Sequence, residues 1–138
     1  MGFIVVVAWA IQAAFGVSLL ASWARHARGQ DAALVLPHIL MMVAFLVPWS
    51  VFLATGGVAW GWVGVAILLA FIGFGDATMV RRSRKVTGQT NPGLRDYMPA
   101  VKVALSGRLG WRVLVHALMA PVVLIPALVV CIAASAAA

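Results

Sequence analysis

The sequence predicts an all-α membrane protein, a four-transmembrane-helix bundle, and three observations lead there. The 138 residues are 64% hydrophobic and 9% charged, with a mean hydropathy of +1.08, whereas a soluble domain carries about a quarter charged residues. Four apolar runs, at 3–24, 34–55, 57–80 and 112–134, each reach the roughly twenty residues that cross a bilayer at about 1.5 Å per residue. All ten Lys and Arg fall in two segments, 25–28 and 81–112, both of which connect apolar runs.

That placement decides what the charge is for. A pI near 11.5 suits nucleic acid on its face, but cations confined to loops between spans are the signature of cytoplasmic membrane loops. Anionic lipid headgroups are the expected counterpart, and nucleic acid is not. Both basic loops then face inward and both termini outward, in a multi-pass protein of the plasma (inner) membrane. The start, Met1-Gly2-Phe3-Ile4, lacks a basic n-region and stays apolar for about twenty residues, which reads as a retained span rather than a cleaved signal. Val6 breaks the myristoylation pattern. Cys131 is the only cysteine, so an intramolecular disulfide is excluded and its expected role is apolar filling.

Taken in order, the first span closes on Trp23-Ala24-Arg25-His26-Ala27-Arg28, an interfacial aromatic followed by positive charge. Gly29-Gln30-Asp31 turns the chain, and Pro37 is expected in the first turn of the second span, where a missing N–H costs little. That span ends at Thr55-Gly56-Gly57, a tight uncharged turn. The third runs through Asp76 to Arg81-Arg82-Ser83-Arg84-Lys85. A basic loop, 81–111, follows, with a turn cluster at 87–93 and a short interfacial helix expected over 99–111, Val101, Leu105 and Leu109 forming its stripe. The fourth span fades into an uncharged alanine-rich end.

The chain also repeats itself. His38, Leu40, Met41, Leu46 and Pro48 reappear in register as His116, Leu118, Met119, Leu124 and Pro126, and Val51 as Val129. Ala10, Ile11, Ala14, Phe15, Ala21, Arg25 and Arg28 match Ala66, Ile67, Ala70, Phe71, Ala77, Arg81 and Arg84. The reading is a duplicated two-helix hairpin, units 1–56 and 57–138 of a single transmembrane domain. Each unit crosses the membrane an even number of times, so the halves share an orientation and a pseudo-two-fold axis stands along the membrane normal.

That axis would bring His38 and His116 to matched depth near the cytoplasmic side. An ionisable residue in a span needs a partner, and neutral imidazole is the usual haem-iron ligand. Bis-histidine binding of haem b is therefore the first expectation for His38 and His116. Met41 and Met119 follow the histidines by three residues, on the same helical faces. His38, His116, Met41 and Met119 thus form an alternative, a soft donor set suited to Cu(I), with Met42 as a fifth candidate. Small residues, Ala13, Ala14 and Gly16 in span 1 and Gly64, Gly73 and Gly75 in span 3, leave room for a cofactor or for close packing. Pro48 and Pro126 are expected to kink their helices symmetrically. Asp76 is expected to pair with Arg81, Arg82 or an arginine of the long loop, and Gln12 to hydrogen-bond between helices or to serve a quinone. The six tryptophans read as an aromatic belt.

With three acidic residues in all, no paired carboxylates and no nucleophile constellation, acid–base hydrolysis has little to work with. Three readings follow. One is a haem b electron-transfer subunit working with a quinone and a partner, not a stand-alone enzyme; its layout resembles four-helix membrane cytochromes in architecture alone. A second is an accessory or assembly subunit of a larger membrane complex, or a homo-oligomer, without a cofactor. The third is a Cu(I)-binding membrane protein.

Overall fold

In the computed structural model, which describes residues 2–27, 29–89 and 93–137, helix α1 covers Gly2–His26, α2 Ala32–Ala44, α3 Leu46–Thr55, α4 Val58–Thr87, α5 Tyr97–Leu105 and α6 Trp111–Ala136. A 3-10 turn, Gly93–Asp96, leads into α5. Among the described residues there is no strand, and α1, α2 with α3, α4, and α6 are each long and apolar enough to cross a membrane. Arg28, Thr90, Asn91 and Pro92, part of the expected stop and turn signals, lie outside the described residues.

Each helix end is set by local chemistry. At the close of α1, Arg25 Nε donates to Ala21 O at 3.1 Å and the His26 ring bonds Ser22 O at 2.9 Å, so both basic side chains fold back on carbonyls near the helix C-terminus, where positive charge is favourable. Asp31 then takes a left-handed conformation, φ 60, and its carbonyl accepts from Leu34 and Val35 to start α2. Gly56 and Gly88 cap α3 and α4 with positive φ, where a side chain would be strained. Helix α4 has 30 residues, about 45 Å at 1.5 Å each, so its basic last turns project beyond the hydrocarbon layer.

Pro37 stands well inside α2 rather than in its first turn, because the helix begins at Ala32. Both deeper prolines lie within helical backbone. Phe45, between α2 and α3, keeps helical dihedrals, φ −50 and ψ −36, although Pro48 lacks the N–H that Ala44 O would accept, and α6 runs through Pro121 and Pro126.

Helix α1 packs chiefly on α6, while α2 and α3 pack on α4, and α4 also meets α6. The tightest core lies in the half away from the basic loops: Val5, Ala8, Phe45, Trp49, Phe52, Val65, Leu68, Val123, Ala127 and Cys131. Phe45 stacks on Trp49, and Trp49 leans on Phe52. Gly61 and Gly64 of α4 admit these rings; a Cβ at Gly61 would come 2.8 Å from Cys131 Sγ and 3.3 Å from Phe52. Trp49 is fully buried and donates its indole N–H to Gly2 O at 3.2 Å, and Trp9 donates to Met42 O at 2.9 Å. These two tie helices together inside the bundle rather than joining an interfacial belt.

The short helix of the basic loop starts at Tyr97 and ends ahead of Gly107, φ 75. Its buried face is Ala100 and Ala104, packed on α4 near the buried Ser83, while Leu105 is 56% exposed. Small residues on both surfaces let the backbones approach, which overrides the larger apolar stripe that the sequence suggested. Of that stripe only Leu109, beyond the helix, is buried.

Candidate functional site

His38 lies early in α2 and His116 early in α6, and the bundle turns both inward. Their ring centroids are 6.3 Å apart with the planes at 80°. The spans that carry them share the apolar core at the other end of the bundle, and at this end the imidazoles are what meets.

Each ring is held the same way. His38 Nδ1 donates to Phe71 O of α4 at 3.0 Å, and His116 Nδ1 to Gln12 O of α1 at 3.1 Å. A carbonyl oxygen only accepts, so Nδ1 carries a proton on both rings, and in the neutral tautomer the lone pair is on Nε2. That is how metal-binding histidines are oriented by their surroundings. A glycine lies four residues beyond each accepting carbonyl: a Cβ on Gly75 would come 2.9 Å from His38 Cε1, and one on Gly16 would come 3.2 Å from His116 Cε1. Any larger residue would push the ring away.

These partners are a helical turn out of step with the sequence repeat. The repeat equates Gln12 with Leu68 and Gly16 with Ile72, whereas the histidines find Phe71 and Gly75. The room expected from small residues is taken by side chains: Gly16 and Gly75 by imidazoles, Gly64 by Phe45 and Trp49, while Gly73 is exposed with nothing within 4 Å of a Cβ. Gln12 is a link between helices, its Nε2 reaching His116 O at 3.5 Å.

Of the sulfur candidates, Met42 and Met119 pack against the apolar core, and Met41 is half-buried outside it. Among the described residues no group of three or more His, Cys, Asp or Glu gathers, so any ion at this site rests on the histidine pair, with methionine as the remaining donor.

Asp76 follows Gly75, within electrostatic reach of His38. It pairs with none of the expected arginines: Arg81 and Arg84 are engaged elsewhere, and Arg82 takes part in no ion pair among the described residues. Arg81 Nη1 reaches Asp31 at 2.6 Å, with Lys85 Nζ at 3.6 Å from the same carboxylate, and Arg84 pairs with Asp96, which is 4% exposed. Asp76 stands instead within electrostatic reach of Tyr97, at the start of α5. The negative charge of Asp76, helped by burial, holds the Tyr97 phenol above its usual range, so it stays a donor. Sequence reasoning passed over Tyr97; its one signal was being the chain's only tyrosine, in the loop next to the spans. Asp31 is held below the usual carboxylate range, chiefly by the hydrogen bond from Arg81; burial opposes this, and the nearby charges of Lys85 and Arg81 add to the lowering.

The arrangement brings together two backbone-anchored imidazoles, nearly perpendicular to each other, with Asp76 and Tyr97 beside one of them. Comparison of the chain with family models, with curated proteins and with solved structures returns no match.

Proposed function

We propose that this is a small multi-pass membrane protein that holds haem b between His38 and His116 and serves as an electron-transfer subunit. The observation that carries the proposal is the pair of anchored rings with centroids 6.3 Å apart. Two metal–nitrogen bonds of about 2.0 Å, with half an imidazole on either side, span about 6 Å. His38 and His116 would hold the haem iron, which would supply one-electron chemistry, and the main-chain hydrogen bonds to both rings would help to set its potential.

The pair sits toward the basic-loop end, which by the distribution of Lys and Arg is the cytoplasmic side of the plasma (inner) membrane, with both termini outside. A haem in one half of the bilayer moves electrons only part of the way across, so the protein works with a partner in a larger membrane complex or as a homo-oligomer.

An absorption spectrum of the protein purified from membranes, with haem supplied during expression, tests this. The expected result is a Soret band whose α band sharpens on reduction and which is lost in both His38→Ala and His116→Ala. A spectrum without a Soret band, or one that both variants retain, would overturn the proposal. Copper analysis on the same anaerobic preparation covers Cu(I) at His38, His116, Met41 and Met119, with Met41→Leu/Met119→Leu as the deciding variant. Absence of any cofactor, with both histidines replaceable and partner co-purification intact, marks an accessory subunit.

A further inference from the structure

A cleft of about 190 Å³ opens at the basic end of the bundle, between Leu19 and Ser22 of α1, Arg82 of α4, and the segment from Leu109 through Arg112 to Val113 that leads into α6. Its chemistry is divided. Leu19, Leu109 and Val113 are apolar, whereas Arg82, Arg112 and Ser22 are polar. Gly110, φ 93, reverses the chain so that Leu109 is 2% exposed while Trp111, next along, is 61% exposed.

The charge in this cleft is unbalanced. The chain has three acidic residues, and none of them lines the cleft: Asp31 pairs with Arg81 and Lys85, Asp96 pairs with Arg84, and Asp76 stands near His38 and Tyr97. Among the described residues Arg82 and Arg112 take part in no ion pair, and Arg112 instead lies over the Trp111 ring at 5.7 Å. Two guanidiniums and a hydroxyl against an apolar wall, beside an exposed indole at a span end, are complementary to one kind of molecule. It has an anionic phosphate head, which guanidinium forks recognise, and an apolar tail that continues into the bilayer.

We propose that this cleft binds the headgroup of an anionic phospholipid, its phosphate between Arg82 and Arg112 and its acyl chain against Leu19 and Val113. The lipid seals α1 against the α5–α6 connection, where the chain itself supplies no counter-charge. The site is independent of any cofactor at the histidines.

Native mass spectrometry of the protein released from vesicles that contain equal phosphatidylglycerol and phosphatidylcholine tests it. Retention of phosphatidylglycerol over phosphatidylcholine is expected, falling about fivefold in Arg82→Gln or Arg112→Gln and roughly thirtyfold in the double variant, on the usual contribution per basic residue. Lys102→Gln, on an exposed part of α5 outside the cleft, is expected to retain lipid as the parent does. An equal loss in Lys102→Gln would mean general charge attraction and overturn the site, as would retention of both lipids alike. Displacement of the lipid by millimolar inorganic phosphate would make the cleft a plain anion site and overturn the lipid assignment. A thermal melt of each variant in detergent separates lost binding from lost fold: a variant that melts like the parent yet keeps its lipid also counts against the proposal.

Discussion

Gly75 and Gly16 face the two imidazoles with different clearance, and the difference makes the site testable one atom at a time. A methyl group at Gly75 would stand 2.9 Å from His38 and must displace the ring, whereas at Gly16 the 3.2 Å approach asks for a few tenths of an ångström. On the proposal that the pair holds haem b, Gly75→Ala is expected to broaden or abolish the haem spectrum, Gly16→Ala to weaken it, and Gly73→Ala, which meets nothing, to leave it unchanged. Visible spectra of the three purified variants check that order. The histidines themselves were legible in the sequence, as ionisable residues at matched places in apolar runs. Their anchors were not, because a hydrogen bond to main chain leaves no mark on the side chain at Gln12 or Phe71. Asp76 was misread for a related reason. Nearness in sequence favoured Arg81 and Arg82, but a helix turns successive side chains in different directions, and only the folded loop could deliver Tyr97.

Among the elements, α5 shows what holds the basic loop to the bundle. It is docked by Ala100 and Ala104, 1% and 4% exposed, and by the partly buried Arg84–Asp96 pair that precedes it. Ala104→Leu overpacks that contact and is expected to cost about 1–3 kcal/mol, seen as faster limited proteolysis of the loop while the spans stay resistant. A second fastening joins the first loop to α4 through Asp31, Arg81 and Lys85. Because folding lowers the Asp31 pKa, this contribution is complete above the ordinary value of 3.8 and is lost as pH falls through the lower folded value. With Arg81 half-exposed it is worth at most about 1 kcal/mol. Asp31→Asn should lower thermal stability slightly at pH 7 and make no difference at strongly acidic pH, as melting curves at the two pH values would show. The spans were legible to within a few residues from hydropathy alone. The exact start of α5 was not, since apolar moment points to Val101 and Leu105 while close packing selects the alanines beside them.

Across the whole molecule the two halves of the bundle do different work. Aromatic packing fills the end remote from the basic loops, and the imidazole pair, Asp76 with Tyr97 and the cationic cleft occupy the other. Removing Trp49, 0% exposed and bonded to Gly2 O, is expected to cost about 3–5 kcal/mol as Trp49→Ala. Trp60→Ala, at a ring 47% exposed, should stay within about 0.5 kcal/mol. Denaturant titration in detergent micelles reads both. The number of spans and their apolar character followed from composition, but the division of labour along the membrane normal did not, because a sequence repeat implies equivalent halves and says nothing of unequal ends. Nor do the two hairpins stand apart. The ring of His38, in the first unit, is held by Phe71 O of the second, and the ring of His116, in the second unit, by Gln12 O of the first. Each half thus fastens the other's histidine, and the duplicated hairpins are cross-stitched rather than laid side by side.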